Sequence, residues 1–145
     1  MRDIVYALQT GDPVRAEVEC RERLHAQPDD ENLLVLLALS LHHQGRNDEA
    51  VAVHQQLTQL FPDAALHWAN LAVALRQSGR EPEAISACEQ GLRVVPDDPE
   101  LLASLGGMRL RQREYEIARD LLLRAHALKR DDAEIAIQAA QAAIA

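Results

Sequence analysis

The chain has 145 residues and a formal charge of −8, and 48% of its residues are hydrophobic while only 3% are aromatic. A chain of this length can bury a core as a single domain. An acidic chain with so few rings lacks the cationic footprint and the stacking surface by which proteins hold nucleic acids, so we expect no nucleic-acid partner.

From the sequence we expect no leader at the N-terminus and no membrane-spanning segment. The first ten residues contain no uninterrupted apolar stretch of the kind found in secretory signals. The longest apolar run, residues 33–39, is far shorter than the roughly 18 residues that cross a bilayer. We therefore expect a cytoplasmic protein with no membrane partner.

Apolar residues follow a helical spacing along the whole chain. They recur at i, i+3 and i+7, as Leu34, Leu37 and Leu41 do. In chain order the pattern predicts helices at about 2–10, 13–26, 31–44, 48–60, 65–78, 82–94, 99–112, 116–128 and 133–144. The prediction is an all-α fold without a sheet.

Several kinds of residue recur at intervals of 34. The recurring positions are Gly11, Gly45 and Gly79; Ala16, Ala50, Ala84 and Ala118; Pro28, Pro62 and Pro96; and Asp29, Asp63, Asp97 and Asp131. Alanine lets two helices approach, glycine opens the turn after a helix, and proline closes the second helix of a pair. Asp30, Asp98 and Asp132 are predicted N-caps of the helices that follow them.

A helical pair that repeats every 34 residues resembles the tetratricopeptide repeat, whose pattern is W-x2-L-G-x2-Y, then A-x3-F, then P. The best match consists of Trp68, Leu71, Ala72, Leu75, Ala84, Cys88 and Pro96. The resemblance implies a right-handed superhelical solenoid of antiparallel helix pairs, with units at about 1–30, 31–64, 65–98 and 99–132 and a terminal helix at 133–145, all in one domain of residues 1–145. Arg109, Arg113 and Arg130 replace Tyr, Gly and Pro in the fourth unit, which leaves the order of its turn open.

No group of residues predicts a catalytic, metal or cofactor site. Cys20 and Cys88 lie two repeats apart, too far for a disulfide, so both are predicted to be small buried apolar residues. His42 and His43 are neighbours on a helix and point about 100° apart, which is poor geometry for one metal ion. We expect no metal, no cofactor and no enzymatic activity.

The resemblance implies that the first helix of each pair lines a concave face, on which some relatives hold peptide chains. Steps of 34 residues place matching side chains along this face. The predicted groove consists of Val35, Leu36, Leu39, His42, His43, Asn70, Val73, Arg76, Gln77, Ser104 and Arg111. Two alternatives stay open: the apolar side chains of the second unit pack on the shortened first unit, or the polar ones simply face water.

One subfamily binds the C-terminal carboxylate of chaperones through lysines and asparagines on successive first helices. Asn70 resembles one such asparagine, but Val35, Leu39 and Glu100 stand where other clamp residues would be. Lys129 is the only lysine in the chain. This clamp is therefore not expected here.

The resemblance implies a scaffold that binds a protein or peptide on its concave face. An alternative is an N-terminal interaction or oligomerisation segment of a larger bacterial enzyme, because residues 8–29 resemble repeats found ahead of sulfotransferase and glycosyltransferase domains. A catalytic domain encoded downstream would decide for the alternative.

The last predicted helix carries more isoleucine than it can bury. Ile135 and Ile137 lie about 200° apart around the helix axis, so they cannot both face the core. The exposed part would meet a further helix or a second copy of the chain, which makes a homo-oligomer possible. The alternative is an alanine-rich helix that stays half-exposed.

Overall fold

A computed structural model describes residues 2–144 and contains nine α-helices in that range. They are α1 (Arg2–Gln9), α2 (Pro13–Ala26), α3 (Glu31–His43), α4 (Asn47–Leu60), α5 (Ala65–Gln77), α6 (Glu81–Val94), α7 (Pro99–Arg111), α8 (Tyr115–Leu128) and α9 (Ala133–Ile144). Every predicted helix is present, and its ends lie within one residue of those predicted. The described part of the chain has no strand, so the all-α prediction is confirmed.

The helices stack in chain order, each one packing against the next. The first helices of neighbouring pairs also approach one another, with Cα atoms within 8 Å between α1 and α3, between α5 and α7, and between α7 and α9. No such approach joins α3 to α5. Within residues 2–144 the solenoid therefore has one open joint on its first-helix side, between the second and third units.

Aspartates cap the helices that begin the second, fourth and fifth units, as predicted. The Asp30 carboxylate accepts a hydrogen bond from the backbone N–H of Leu33 at 2.9 Å, and Asp98 accepts one from Leu101 at the same distance. Asp132 accepts from the backbone two and three residues further on, at 3.0 and 3.2 Å. These bonds satisfy N–H groups that the first turn of a helix leaves without partners.

The turn inside each helix pair needs a left-handed residue, and in three pairs this residue is glycine. Gly45 and Gly79, for example, have φ of 72° and 74°. Arg113 takes the same conformation in the fourth pair, with φ of 63°. Its backbone N–H donates to Leu110 at 3.0 Å, as that of Gly79 does to Arg76. The fourth turn is thus ordered like the others in spite of its arginine, at a backbone cost of about 1 kcal/mol.

Small residues fill the positions where the helices cross. The recurring alanines, Ala16, Ala50, Ala84 and Ala118, are all buried. Cys20 and Cys88 are also buried and make no disulfide, as predicted. Burial raises the pKa of the Cys20 thiol to about 11 and that of Cys88 to about 12, so both stay protonated at neutral pH.

A partly buried carboxylate joins the first unit to the second. Glu17 on α2 accepts hydrogen bonds from Arg21 at 2.9 Å, from Gln44 at 2.8 Å and from Arg46 at 2.6 Å. Burial opposes ionisation, but the hydrogen bonds from Gln44 and Arg21 and the charge of Arg46 outweigh it and lower the pKa of Glu17. The ionised Glu17 carboxylate therefore links α2 to the turn between α3 and α4 at neutral pH.

None of the helices between residues 2 and 144 has both the length and the apolar composition of a bilayer span.

Two glycines inside helices make a matched test of the packing. A Cβ on Gly91 would lie 2.7 Å from both Leu101 Cδ1 and Trp68 Cβ, where α5, α6 and α7 meet. A Cβ on Gly107 would approach nothing closer than 3.5 Å, and that neighbour is the flexible end of Gln138. The first position has no room for a methyl group, whereas the second has.

We therefore expect Gly91→Ala to lower the free energy of unfolding by about 1–3 kcal/mol through overpacking. Gly107→Ala should raise it by up to about 1 kcal/mol, because alanine has the better helix propensity. Urea unfolding of the two variants beside the unmodified chain measures both effects. Stabilisation by both substitutions would show that α6 does not pack against α5 and α7 as closely as described.

Candidate functional site

A pocket of about 210 Å³ lies at the open joint between α3 and α5. Six of the predicted groove residues line it: Val35, Leu39, His42, Asn70, Val73 and Gln77. Leu39 and Val73 keep 41% and 37% of their surface exposed, although both are aliphatic. The pocket lies where the backbones of α3 and α5 stay more than 8 Å apart.

The floor of the pocket comes from α4, which sequence reasoning left out. Asn47, Ala50 and His54 reach the pocket from this second helix. The prediction considered only first helices, and the wide separation of the α3 and α5 backbones is what exposes the helix behind them. Ala50 and His54 are four residues apart and so share one face of α4, which is the only signal in the sequence that could have indicated them.

The other predicted groove residues are divided among different places. Leu36 packs against the core formed by the first two units, in agreement with the internal-packing alternative. His43 is exposed outside the pocket, with its ring 6.1 Å from that of His42. Arg111 forms an ion pair with Glu81 at 3.3 Å. These three residues do not belong to the α3/α5 pocket.

Arg76 and Ser104 line a second depression, which lies between α5, α7 and α9. Glu100, Asp132 and Glu134 border the same depression, so it is mainly acidic. Glu100 and Asp132 are themselves paired with Lys129. The concave side therefore changes from a neutral pocket at α3/α5 to an acidic depression at α7/α9.

The α3/α5 pocket has no acidic or basic residue in its lining other than histidine. The side-chain amides of Asn47, Asn70 and Gln77 are not engaged by any hydrogen bond within residues 2–144, and they are free to meet a ligand. Amides donate and accept, so they suit the backbone of a bound chain.

His54 is the most perturbed group of the pocket. Burial, followed by the charges of His67 and His42, lowers its pKa to about 4, so the imidazole is neutral at pH 7. Its Nδ1 is shielded from solvent and has no partner among the described residues. Neither ring nitrogen makes a hydrogen bond within that range, and Nε2 is the one that solvent or a ligand can reach.

A histidine and a glutamate tie the beginnings of α3 and α5 together beside the pocket. The ring of His67 is buried, and its Nε2 lies 2.7 Å from a carboxylate oxygen of Glu31. The Phe61 ring stands 5.8 Å from that of His67. This bond fixes the distance between the two helices where their backbones do not meet.

Metal ligands do not gather anywhere in the described part of the chain. Within residues 2–144, no three or more His, Cys, Asp or Glu side chains are placed to hold an ion.

Two family models of the tetratricopeptide repeat match the sequence, one over residues 5–64 and the other over residues 41–106. Together they span more than half of the chain. The chain belongs to the tetratricopeptide repeat family. No curated protein sequence matches it.

Solved structures of this family share the fold. A tetratricopeptide repeat protein from Parabacteroides merdae ATCC 43184 has a TM-score of 0.86 and 17% identity, over 97% of this chain and 56% of its own. The MamA protein has a TM-score of 0.82 and 16% identity, over 96% and 76%. The first TPR of Spaghetti (RPAP3), bound to the HSP90 peptide SRMEEVD, has a TM-score of 0.71 and 18% identity, over 79% and 90%.

The neutral state of His54 makes stability depend on pH. Its pKa in the folded chain, about 4, lies below its ordinary value of 6.5, so the stability tied to neutral His54 is present above pH 6.5 and is lost as the pH falls towards 4. We expect this loss to reach about 2 kcal/mol at pH 5. His54→Leu should therefore lose less stability than the unmodified chain between pH 7 and pH 5, as measured by urea unfolding. Parallel pH curves for the two proteins would contradict the burial of this imidazole.

Proposed function

We propose that this chain is a non-enzymatic scaffold that holds an extended segment of a partner protein along its concave face, with the α3/α5 pocket as the main anchoring point. The observation that carries the proposal is the pocket itself, where aliphatic side chains and free amides stand open in a neutral lining. Leucine and valine left exposed together beside free hydrogen-bonding groups are typical of a binding surface.

The family supports this reading, because tetratricopeptide repeats generally serve as non-catalytic scaffolds. The Spaghetti repeat is described with a bound peptide, and its fold covers most of this chain. That peptide ends in acidic residues, for which a chain with one lysine, already paired to Glu100 and Asp132, has no equivalent clamp. We therefore propose the same general mode of binding with a different, less charged partner segment.

The residues of the pocket have different roles in the proposed binding. Val35, Leu39 and Val73 supply the apolar contact that stabilises the complex, since burying each aliphatic side chain is worth roughly 1–2 kcal/mol. Asn70 sits at the middle of α5, where its amide can bond the partner's backbone and fix its direction. Arg76 and Ser104 extend the groove towards α7, so a longer segment would continue across the third unit.

Charge placed in the pocket is the sharpest test of this function. We expect Val73→Glu to weaken the binding of groove-dependent peptides by at least about tenfold, because it replaces an apolar contact with a carboxylate that must lose water. Asn70→Ala should weaken it to a smaller extent, because it removes one hydrogen-bonding amide. Peptides selected from a random display library on the unmodified chain and measured by titration give the affinities. Arg76→Glu tests whether the segment continues along α5.

Val94→Glu is the matched control for Val73→Glu, because Val94 is 39% exposed and lies at the end of α6, outside the pocket. It should leave the affinities unchanged. If the selected peptides bind Val73→Glu and Asn70→Ala as tightly as the unmodified chain while both variants stay folded, the groove assignment is wrong.

A second proposal concerns self-association through α9. Ile135 faces the core, packed with Leu102 and Ala125, whereas Ile137 and Ile144 keep 59% and 88% of their surface exposed. Ile135 and Ile137 thus do not both face the core, as expected from their angle around the helix axis. An exposed apolar stripe of this kind suits a symmetric contact with a second copy.

We expect the sedimentation coefficient of the unmodified chain to rise with concentration, and Ile137→Glu or Ile144→Glu to abolish the rise. Val14→Glu serves as a control, because Val14 is a comparably exposed aliphatic residue on α2. A chain that sediments as a monomer at every concentration would exclude self-association through α9. The cytoplasmic location and the alternative of a segment in a larger enzyme stay predictions from the sequence.

A further inference from the structure

We infer that the α3/α5 pocket selects the unmodified phenol ring of a tyrosine in the partner segment, with the tyrosine hydroxyl hydrogen-bonded to His54 at the pocket floor. The inference rests on the proposed peptide-binding function and names the side chain that the same site recognises. Four features of the pocket lead to it: its volume, its walls, its neutrality and its imidazole.

The volume fits one ring. An engineered cavity of roughly 150 Å³ admits benzene, and pockets for whole small molecules begin at roughly 300 Å³. At about 210 Å³, this pocket has space for a substituted ring and too little for a free cofactor. The pocket volume therefore fits a single anchoring side chain of a partner.

The walls suit a flat apolar body. Val35 and Leu39 come from α3 and Val73 from α5, so branched side chains face each other across the joint. Ala38, Ala50 and Ala74 line the deeper part and leave space between them. A ring brings a large contact area at a low conformational cost, which is why aromatic residues serve as anchors in binding surfaces.

The floor requires a polar end on that ring. His54 shares the pocket lining with aliphatic residues, His42 and three amide side chains, and its accessible Nε2 has no partner within residues 2–144. A neutral imidazole presents one donor and one acceptor, and which nitrogen carries the proton is not fixed by any bond. A hydroxyl can donate or accept, so it satisfies Nε2 in either tautomer, which a phenylalanine ring or an aliphatic side chain cannot do.

The neutral lining excludes charged anchors. No Asp, Glu, Lys or Arg borders the pocket, and His54 stays uncharged at neutral pH because burial lowers its pKa to about 4. A carboxylate, ammonium or phosphate group placed there would lose its water without gaining a counter-charge. Phosphorylation of the anchoring tyrosine should therefore release the partner.

The test uses four peptide libraries that share random flanking residues and differ only at the fixed centre, which is tyrosine, phenylalanine, leucine or phosphotyrosine. We expect the tyrosine library to be retained most by the immobilised chain and the phosphotyrosine library least. Individual peptides from the retained pool, remade with phenylalanine at the centre, should bind roughly threefold to tenfold more weakly, as the loss of one uncharged hydrogen bond predicts.

Variants of His54 show whether the hydroxyl meets this imidazole. In His54→Leu the ratio of tyrosine to phenylalanine affinities should fall to about one, while phenylalanine peptides bind as before. His54→Gln should keep part of the preference, because its amide can reach towards the position of Nε2. The control is His126→Leu on α8, since His126 also has a buried Nδ1 without a partner but lies outside the pocket.

The outcomes distinguish tyrosine recognition from the more general proposal that the pocket binds peptides. Peptides that lose affinity on Val73→Glu but prefer leucine or phenylalanine at the centre would overturn the tyrosine assignment and leave the binding function intact. A tyrosine preference that survives in His54→Leu would overturn the role of the imidazole. Equal retention of all four libraries by the unmodified chain and by Val73→Glu would reject both.

Discussion

An alanine in the first turn of each second helix sets the distance at which every helix pair packs. Ala16, Ala50, Ala84 and Ala118 are all buried at the crossing with the preceding helix. A larger side chain at this crossing would hold the two axes apart and would disturb every pair stacked beyond it. The regular stacking of the solenoid, and hence the existence of a continuous concave face, depends on these four contacts.

The proposed binding site lies at the joint between α3 and α5, where the stacking of first helices is interrupted in the described part of the chain. Other first helices pack on their neighbours, but α3 and α5 are joined only through α4 behind them and through the bond between Glu31 and His67 at their beginnings. The gap exposes side chains of all three helices to the same space. A local loss of contact thus becomes a pocket because the surrounding pairs keep the two helices in fixed positions.

No Asp, Glu, Lys or Arg lines the α3/α5 pocket, and several charged side chains form ion pairs at other places in the described chain. Arg46 bonds Glu17 and Glu49, and Arg80 bonds Glu83, all near the turns inside helix pairs. The Arg46–Glu49 and Arg80–Glu83 pairs are exposed and add little stability individually, whereas Glu17 is largely buried. The partner binding that we propose at this pocket would depend on shape and hydrogen bonding rather than on long-range attraction, so its affinity should vary little with salt.

The sequence by itself determined the repeat, the helix ends and the caps. A period of 34 residues, apolar spacing and residues such as Asp30 and Asp98 act within a few turns of their own helix, so local physics is enough to place them. The sequence also indicated that Ile135 and Ile137 face different sides of α9, because the angle between them around the axis is set by helix geometry alone. Six lining residues of the pocket followed from the same periodicity.

Only the tertiary structure decided which of the predicted groove residues come together. The period treats all joints between units as equal, whereas the joint between α3 and α5 differs from the others in its packing. Whether Leu36 packs inward, whether Arg111 is neutralised by Glu81, and whether His54 reaches the concave side all depend on residues in other helices. A repeat pattern cannot predict these contacts, because the distances between helices depend on how several helix pairs pack together.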